Sequence, residues 1–230
     1  MLRTRKKSVS LLVALAFVLT LVLPVGAALG ATDSIRAFGA PAASEGEQEL
    51  GYIRVIVPAG SISADDTVIF SMPPGYDFVD ANDDGDVDDN DFLLTASETE
   101  RDALLAQTVA SRVYTLMVYV PTQYGTSPNG VDGIISLDYL GGREVKLSAS
   151  SPQDPGLDGV FYIYFTRIDV AEDVGDDCTV TFEGPSGTGF PTGSAVVAVV
   201  TEGGDVTLSA LATQTSLDDF SFNLRIKESK

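Results

Sequence analysis

"GIISLDYLGGREVKLSA" (residues 133–149) holds two runs of strand-forming residues separated by a pair of glycines, Gly141 and Gly142. A two-residue glycine connection suits the tight turns whose twist matches that of paired strands, because glycine takes positive φ without steric cost. The stretch predicts an antiparallel hairpin, and the same grammar extends in both directions. Upstream stand "LGYIRVIV" (50–57), "TVIFSM" (67–72) and "RVYTLMVYV" (112–120). Downstream stand "GVFYIYFTRIDV" (159–170), "CTVTFE" (178–183), "SAVVAVVT" (194–201), "DVTLSAL" (205–211) and "DFSFNLRIK" (219–227). All are short and rich in Val, Ile, Thr, Tyr and Phe, which fit a pleated, half-buried surface. A second "GG" at 203–204, and "PPG", "SPNG" and "DPGLDG", mark the turns between them. In the last run Phe220, Phe222, Leu224 and Ile226 share one face, and Ser221, Asn223, Arg225 and Lys227 share the other. That period of two is the mark of a half-buried antiparallel strand.

One segment breaks the pattern. "SETERDALLAQTVASRV" (97–113) opens with Ser97 and Glu100 at capping-box spacing, and Leu104, Leu105, Val109 and Val113 recur at helical intervals. A short helix is expected there, inserted among strands.

Immediately before it lies "DANDDGDVDDND" (80–91), with seven aspartates in twelve positions. Like charges at that density repel one another, so either a cation neutralises them or the stretch stays solvated. The spacing favours a cation. Calcium takes six to eight oxygen ligands, and a twelve-residue loop supplies them when oxygen donors alternate and a glycine allows the sharp turn. Asp80, Asn82 and Asp84 occupy positions 1, 3 and 5, and Gly85 occupies position 6. Asp86 at position 7 offers its backbone carbonyl, Val87 at position 8 is the inward apolar residue, Asp88 at position 9 acts directly or through water, and Asp91 closes the shell at position 12. The expected calcium ligands are therefore Asp80, Asn82, Asp84, Asp86, Asp88 and Asp91.

Residues 80–92, "DANDDGDVDDNDF", resemble the calcium loop of an EF-hand, and especially that of a dockerin repeat, down to the aliphatic Val87, the closing Asp91 and the aromatic Phe92. A dockerin carries two such loops, each with its own helix, whereas this chain has one. The resemblance covers 13 of 230 residues. It implies a metal site and does not carry over dockerin partner binding. A broader likeness joins "VPAGSISADDTVIFSMPPGY" and "DDFSFNLRIKE" to β-rich regions of secreted Gram-positive surface proteins, some labelled S-layer or copper amine oxidase-like. Neither of those modules is recognisable here, and the likeness implies no oxidase activity.

The N-terminus has the three parts of an export signal. "MLRTRKK" is basic, "SVSLLVALAFVLTLVLPVG" is apolar, and "AALGA" offers small residues for cleavage. Pro24 interrupts the apolar run, which is short for a membrane span. The expectation is a signal peptide at 1–30 and a secreted or cell-surface protein with no stable span after cleavage; a retained anchor is the alternative. Loss of Arg3, Arg5, Lys6 and Lys7 leaves 10 basic against 33 acidic residues, a net charge of −23 where the whole chain has −19. Such a surface repels nucleic acid and suits divalent cations.

Residues 31–48, small, polar and Ala/Gly-rich, read as a flexible linker or arm. Residues 49–230 then form the expected domain, with the calcium loop and helix as an insertion at 77–112. The fold class expected is mainly β, an antiparallel β-sandwich of about ten strands, with a closed barrel as the alternative.

Catalysis finds little footing. Histidine is absent, which excludes a Ser-His-Asp triad and His-based zinc or copper sites. "GPSGTGF" (184–190) has glycines at phosphate-loop spacing, but Phe190 stands where the lysine belongs, so it reads as a turn. The lone Cys178 sits in a strand-like run and reads as a small buried hydrophobe. The expected function is a non-enzymatic, calcium-binding structural protein of the cell envelope, acting in surface-layer, matrix or filament assembly. Its expected partners are calcium, copies of itself, other envelope proteins or glycans. The alternative is a carbohydrate-binding or adhesion module built on Tyr119, Tyr124, Tyr139, Tyr162 and Tyr164, which a row of exposed tyrosines on one sheet face would favour.

Overall fold

The computed structural model describes residues 34–201, together with the backbone of residues 207–210 and 224–227. The expected signal peptide lies outside the described residues, as do the side chains of the last run.

In chain order the strands and helix begin with β1 (Ile35–Phe38), β2 (Gly46–Gln48), β3 (Tyr52–Val57), β4 (Thr67–Ser71) and β5 (Tyr76–Phe78). The acidic loop leads to β6 (Phe92–Thr95), helix α1 (Glu98–Leu105) and β7 (Leu116–Tyr119). There follow the two-residue β8 (Gln123–Tyr124) and β9 (Ser127–Pro128), then β10 (Ile135–Gly141), β11 (Glu144–Ala149), β12 (Gly159–Phe165) and β13 (Ile168–Val170). β14 (Cys178–Glu183), β15 (Gly193–Ala198), β16 (Thr207–Ala210) and β17 (Leu224–Lys227) complete the set.

The protein is mainly β, with its strands in several antiparallel and mixed sheets and one short α-helix among the described residues. One five-stranded sheet runs β1-β3-β12-β7-β6, and a second runs β10-β11-β4-β14-β15. A three-stranded sheet, β2-β13-β5, borders the acidic loop. Each order is linear, so among the described residues no sheet closes into a barrel.

The two large sheets share one core. In β3, Ile53, Val55 and Val57 are buried while Tyr52, Arg54 and Ile56 are half-buried, and β12 repeats the alternation with Phe161, Ile163 and Phe165 inward. Phe70 of β4 meets Phe165 edge-on at 6.4 Å and Phe182 of β14 at 5.7 Å. Burying each such ring stabilises the fold by about 2–3 kcal/mol. The predicted hairpin forms: β10 pairs antiparallel with β11, and Gly141 and Gly142 both take positive φ, 100° and 62°.

Three expectations need correction. Residues 35–48 are not a loose arm. β1 pairs with β3 along Ile35–Val55 to Phe38–Tyr52, and β2 pairs with β13. The reason lies in "IRAF", where Ile35 and Ala37 pack on the core while Arg36 and Phe38 face out, an alternation masked by the surrounding small residues. The helix is shorter than the periodicity suggested. It ends at Leu105, with a separate 3-10 turn at Val109–Ser111, so Leu104 is buried but Val113 is exposed. Ser97 caps it as expected by accepting from the Glu100 amide at 3.2 Å, but the Glu100 carboxylate takes the Thr95 hydroxyl at 2.6 Å and does not return to the cap. The run at 159–170 is two strands, not one, broken at Thr166 and Arg167.

The helix also has a topological task. β6 and β7 are parallel, and a parallel pair needs a crossover of a dozen or more residues. The segment from Ala96 to Thr115, with α1 inside it, is that crossover. Helix α1 lies over the outer face of the first sheet, where the Arg101 guanidinium sits 4.6 Å from the centre of the Tyr119 ring.

Candidate metal centre

The acidic loop runs from the end of β5 into β6 and is held mainly by its own side chains. Asp80 accepts from the amides of Asp84 at 3.1 Å and Gly85 at 2.7 Å. Asn82 Oδ1 accepts from the same Asp84 amide at 2.9 Å, and Asp84 Oδ1 accepts from the Asp86 amide at 3.4 Å. Carboxylate and amide side chains of this length bond naturally to the backbone two residues on, which fixes alternate oxygens along a tight curve. The curve needs left-handed backbone at Asp83 (φ 61°) and at Gly85 (φ 112°). Aspartate tolerates the first, and glycine is the residue suited to the second.

Asp91 is the anchor. It is fully buried, and its Oδ1 accepts from the amides of Ala81 at 2.6 Å and Asn82 at 3.1 Å. Its Oδ2 accepts from the Asp88 amide at 2.9 Å, so one carboxylate clamps both ends of the loop. The Asp91 carbonyl in turn accepts from the Thr115 amide, tying the loop to the start of β7. Asp88 caps the following 3-10 turn by accepting from the backbone and side chain of Asn90, at 2.7 and 2.9 Å. Asp89 accepts from the Tyr139 amide at 2.7 Å and fastens the loop to β10. Beneath it, Phe78, Phe92 and Tyr139 form an aromatic cluster with centroids 4.9–6.0 Å apart.

The structure thus brings Asp80, Asn82 and Asp84 onto one short run of amides and places Asp91 under them. Asp86 keeps its side chain in solvent, which agrees with a ligand acting through its carbonyl. The hydrogen bonds of the Asp88 carboxylate go to Asn90 and not to the other expected ligands. Among the described residues no three acidic or cysteine side chains converge as a ready-made metal cluster. The donor set itself fits calcium: carboxylate, amide and backbone oxygens, without the nitrogen or sulfur that softer metals prefer.

Two arginines that the sequence reading passed over hold this region in place. Arg167 forms a two-pronged pair with Glu47, at 2.7 and 3.1 Å, and donates to the carbonyls of Ala81 and Arg112. Its pKa is raised by the hydrogen bonds to Glu47 and by the nearby charges of Glu47, Asp83 and Asp80. Arg112, only 3% exposed, pairs with Glu49 at 2.7 Å and donates to the carbonyls of Thr166, Leu105 and Gln107. Their signal was present in the sequence: a lone cation in each of two apolar runs, "ASRVYT" and "FTRIDV". A buried cation needs partners, and here they are carbonyls at the ends of elements.

The other candidates settle simply. Cys178 is buried, and burial pushes its thiol up to about 12. "GPSGTGF" is a turn closed by the Thr188 amide on the Pro185 carbonyl. Of the five tyrosines, Tyr119, Tyr162 and Tyr164 share the outer face of the first sheet, Tyr139 joins the cluster under the loop, and Tyr124 lies apart in β8. No protein-family model matches this chain, and no curated protein matches it.

Proposed function

We propose that this chain is an exported, calcium-stabilised β-sandwich and a non-enzymatic structural component of the cell envelope, working in surface-layer, matrix or filament assembly. The observation that carries the calcium reading is the frame at 80–91: alternate side-chain oxygens of Asp80, Asn82 and Asp84 turned along one tight curve over a buried Asp91. Asp80, Asn82, Asp84, Asp88 and Asp91 would hold the ion through side chains and Asp86 through its carbonyl, and the ion would cancel their mutual repulsion. The shared core of the two large sheets supports the sandwich reading. Export rests on the N-terminal sequence pattern. A single loop with no second helix to open suits a structural ion better than a sensor. Calorimetry with calcium and with chelator tests the site: a melting point that rises with calcium supports it, and one that ignores both rejects it.

The second reading, a carbohydrate-binding or adhesion module, draws on one observation. Tyr162, Tyr164, Tyr52 and Phe38 form a half-buried aromatic row on the outer face of the first sheet, with Tyr119 buried at its end beside Arg101, so the row is not the exposed one that would favour this reading most. A glycan array with the purified protein decides it.

A further inference from the structure

The outer face of the first sheet carries a pair of cations that the calcium site does not explain. The strand register sets Arg36 of β1 directly opposite Arg54 of β3, and Tyr162 of β12 beside Arg54. Like charges directly opposite each other across a strand pair are destabilising. Yet in a chain with 33 acidic residues neither arginine has an ion-pair partner among the described residues. Both guanidiniums lie over the Phe38 ring, at 5.0 and 5.3 Å, and the buried Nε of Arg54 has no hydrogen-bond partner. The hydroxyls of Tyr52 and Tyr162 make no hydrogen bond among the described residues.

The rings decide what chemistry the strip presents. Phe38 and Tyr52 stack at 5.2 Å with planes 11° apart, and Tyr52 and Tyr164 stack at 5.1 Å with planes 25° apart. At the β1 end the rings are engaged with one another and with the two guanidiniums beside Phe38. The strip also carries the Tyr52 and Tyr162 hydroxyls, which are donors, and the two guanidiniums. That is a surface for carboxylates.

The same molecule holds the complement. In the acidic loop Asp83 and Asp86 are exposed, and neither carboxylate makes a hydrogen bond or an ion pair among the described residues, the Asp83 charge lying near Arg167 without touching it. The arginine pair lies at the β1 edge of the first sheet, and the loop feeds β6 at the opposite edge. Four strand spacings of about 4.8 Å separate those edges, so one copy does not satisfy itself. A contact between unlike edges of successive copies does not close on a twofold axis and builds a ring or an open chain.

We propose that Asp83 and Asp86 of one copy dock on Arg36 and Arg54 of the next, linking copies head to tail. This rests on the assembly part of the proposed function and not on its calcium part: Asp83 lies outside the expected ligand set, and Asp86 enters it through its backbone carbonyl, which Asp86→Lys retains. Sedimentation velocity over a concentration series tests it with the wild type, Arg36→Glu/Arg54→Glu, Asp83→Lys/Asp86→Lys, and an equimolar mixture of the two variants. The wild type is expected to associate, each variant alone to weaken association at least tenfold, and the mixture to restore it, since each variant then supplies the charge that the other lacks. Circular dichroism of each variant guards against loss of folding, and Arg36→Glu alone, at an exposed position, serves if the double variant unfolds. Association unchanged in both variants overturns this contact and leaves assembly standing. A wild type that stays monomeric throughout overturns both. A monomer that binds polygalacturonate, and loses that binding with Arg36→Glu/Arg54→Glu, overturns the proposal in favour of an anionic glycan.

Discussion

The inner face of β12 and the loop ending at Asp91 hold their backbones by opposite means. Along β12 the main chain is satisfied by its neighbours β3 and β7, and Phe161, Ile163 and Phe165 supply the burial. In the loop there is no ladder. Side-chain oxygens of Asp80, Asn82, Asp84, Asp88 and Asp91 take the amides that a sheet would otherwise take. The sheet is neutral and dry, whereas the loop is charged and wet except at Asp91. The contrast teaches where each kind of residue is irreplaceable. In the sheet it is volume that counts, and in the loop it is acceptor oxygens at fixed intervals.

The contrast can be broken from either side. Phe165→Ala removes a ring from the centre of the shared core and is expected to cost about 4 kcal/mol in urea unfolding. Asp91→Ala leaves three amides without their acceptor and is expected to cost about 3 kcal/mol, although the site lies outside the main core. If Asp91→Ala behaves like a surface change, the anchoring role assigned to it is wrong. Calcium at a hundred times its dissociation constant should add about 2.7 kcal/mol, and Asp80→Ala should abolish that increment and also cost about 1 kcal/mol without calcium, since the Asp84 and Gly85 amides lose their acceptor.

Alkaline titration sharpens the comparison from the core side. Burial raises the Cys178 thiol from 9.0 to about 12. Above pH 9 the unfolded thiol loses its proton while the folded one keeps it, so stability falls as pH rises through the window from 9 to about 12. The slope for this group is about 1.4 kcal/mol per pH unit. Burial also raises Tyr76 and Tyr164 from 10.0 to about 12, so they add to the slope above pH 10, and Cys178→Ala should remove the loss between pH 9 and 10 while only lessening it above. The loop carboxylates do not titrate there, so Asp80→Ala should not flatten this part of the profile. A thiol reagent at pH 8 should label Cys178 only under unfolding conditions.

Much of the β architecture was legible. The hairpin formed where the glycine pair stood, although Gly141 pairs with Glu144 across a bulge and Gly142 and Arg143 make the connection, because both glycines take the positive φ that the bulged turn needs. "CTVTFE" became β14 residue for residue. Ser97 capped a helix because its hydroxyl reaches the Glu100 amide from wherever the chain enters. β1 was hidden because four residues with a modest alternation carry little signal until β3 supplies the partner. β5 and β6 carry little signal for a similar reason: each is short, and each adjoins the dense charge of the loop. The loop pattern itself named its oxygens, but not that Asp91 would face inward to the amides of Ala81, Asn82 and Asp88.

Local chemistry, then, was written in the chain: alternation, turn glycines, a helix cap, and oxygens spaced along a tight curve. These depend on residues a few positions apart and survive any arrangement of the rest. Which strands become neighbours depends on residues that meet only after folding. The parallel pairing of β6 with β7, the bond from Arg112 to the Thr166 carbonyl, and the placing of Arg36 against Arg54 were decided there, because each joins separate elements of the chain in a way that no local pattern encodes.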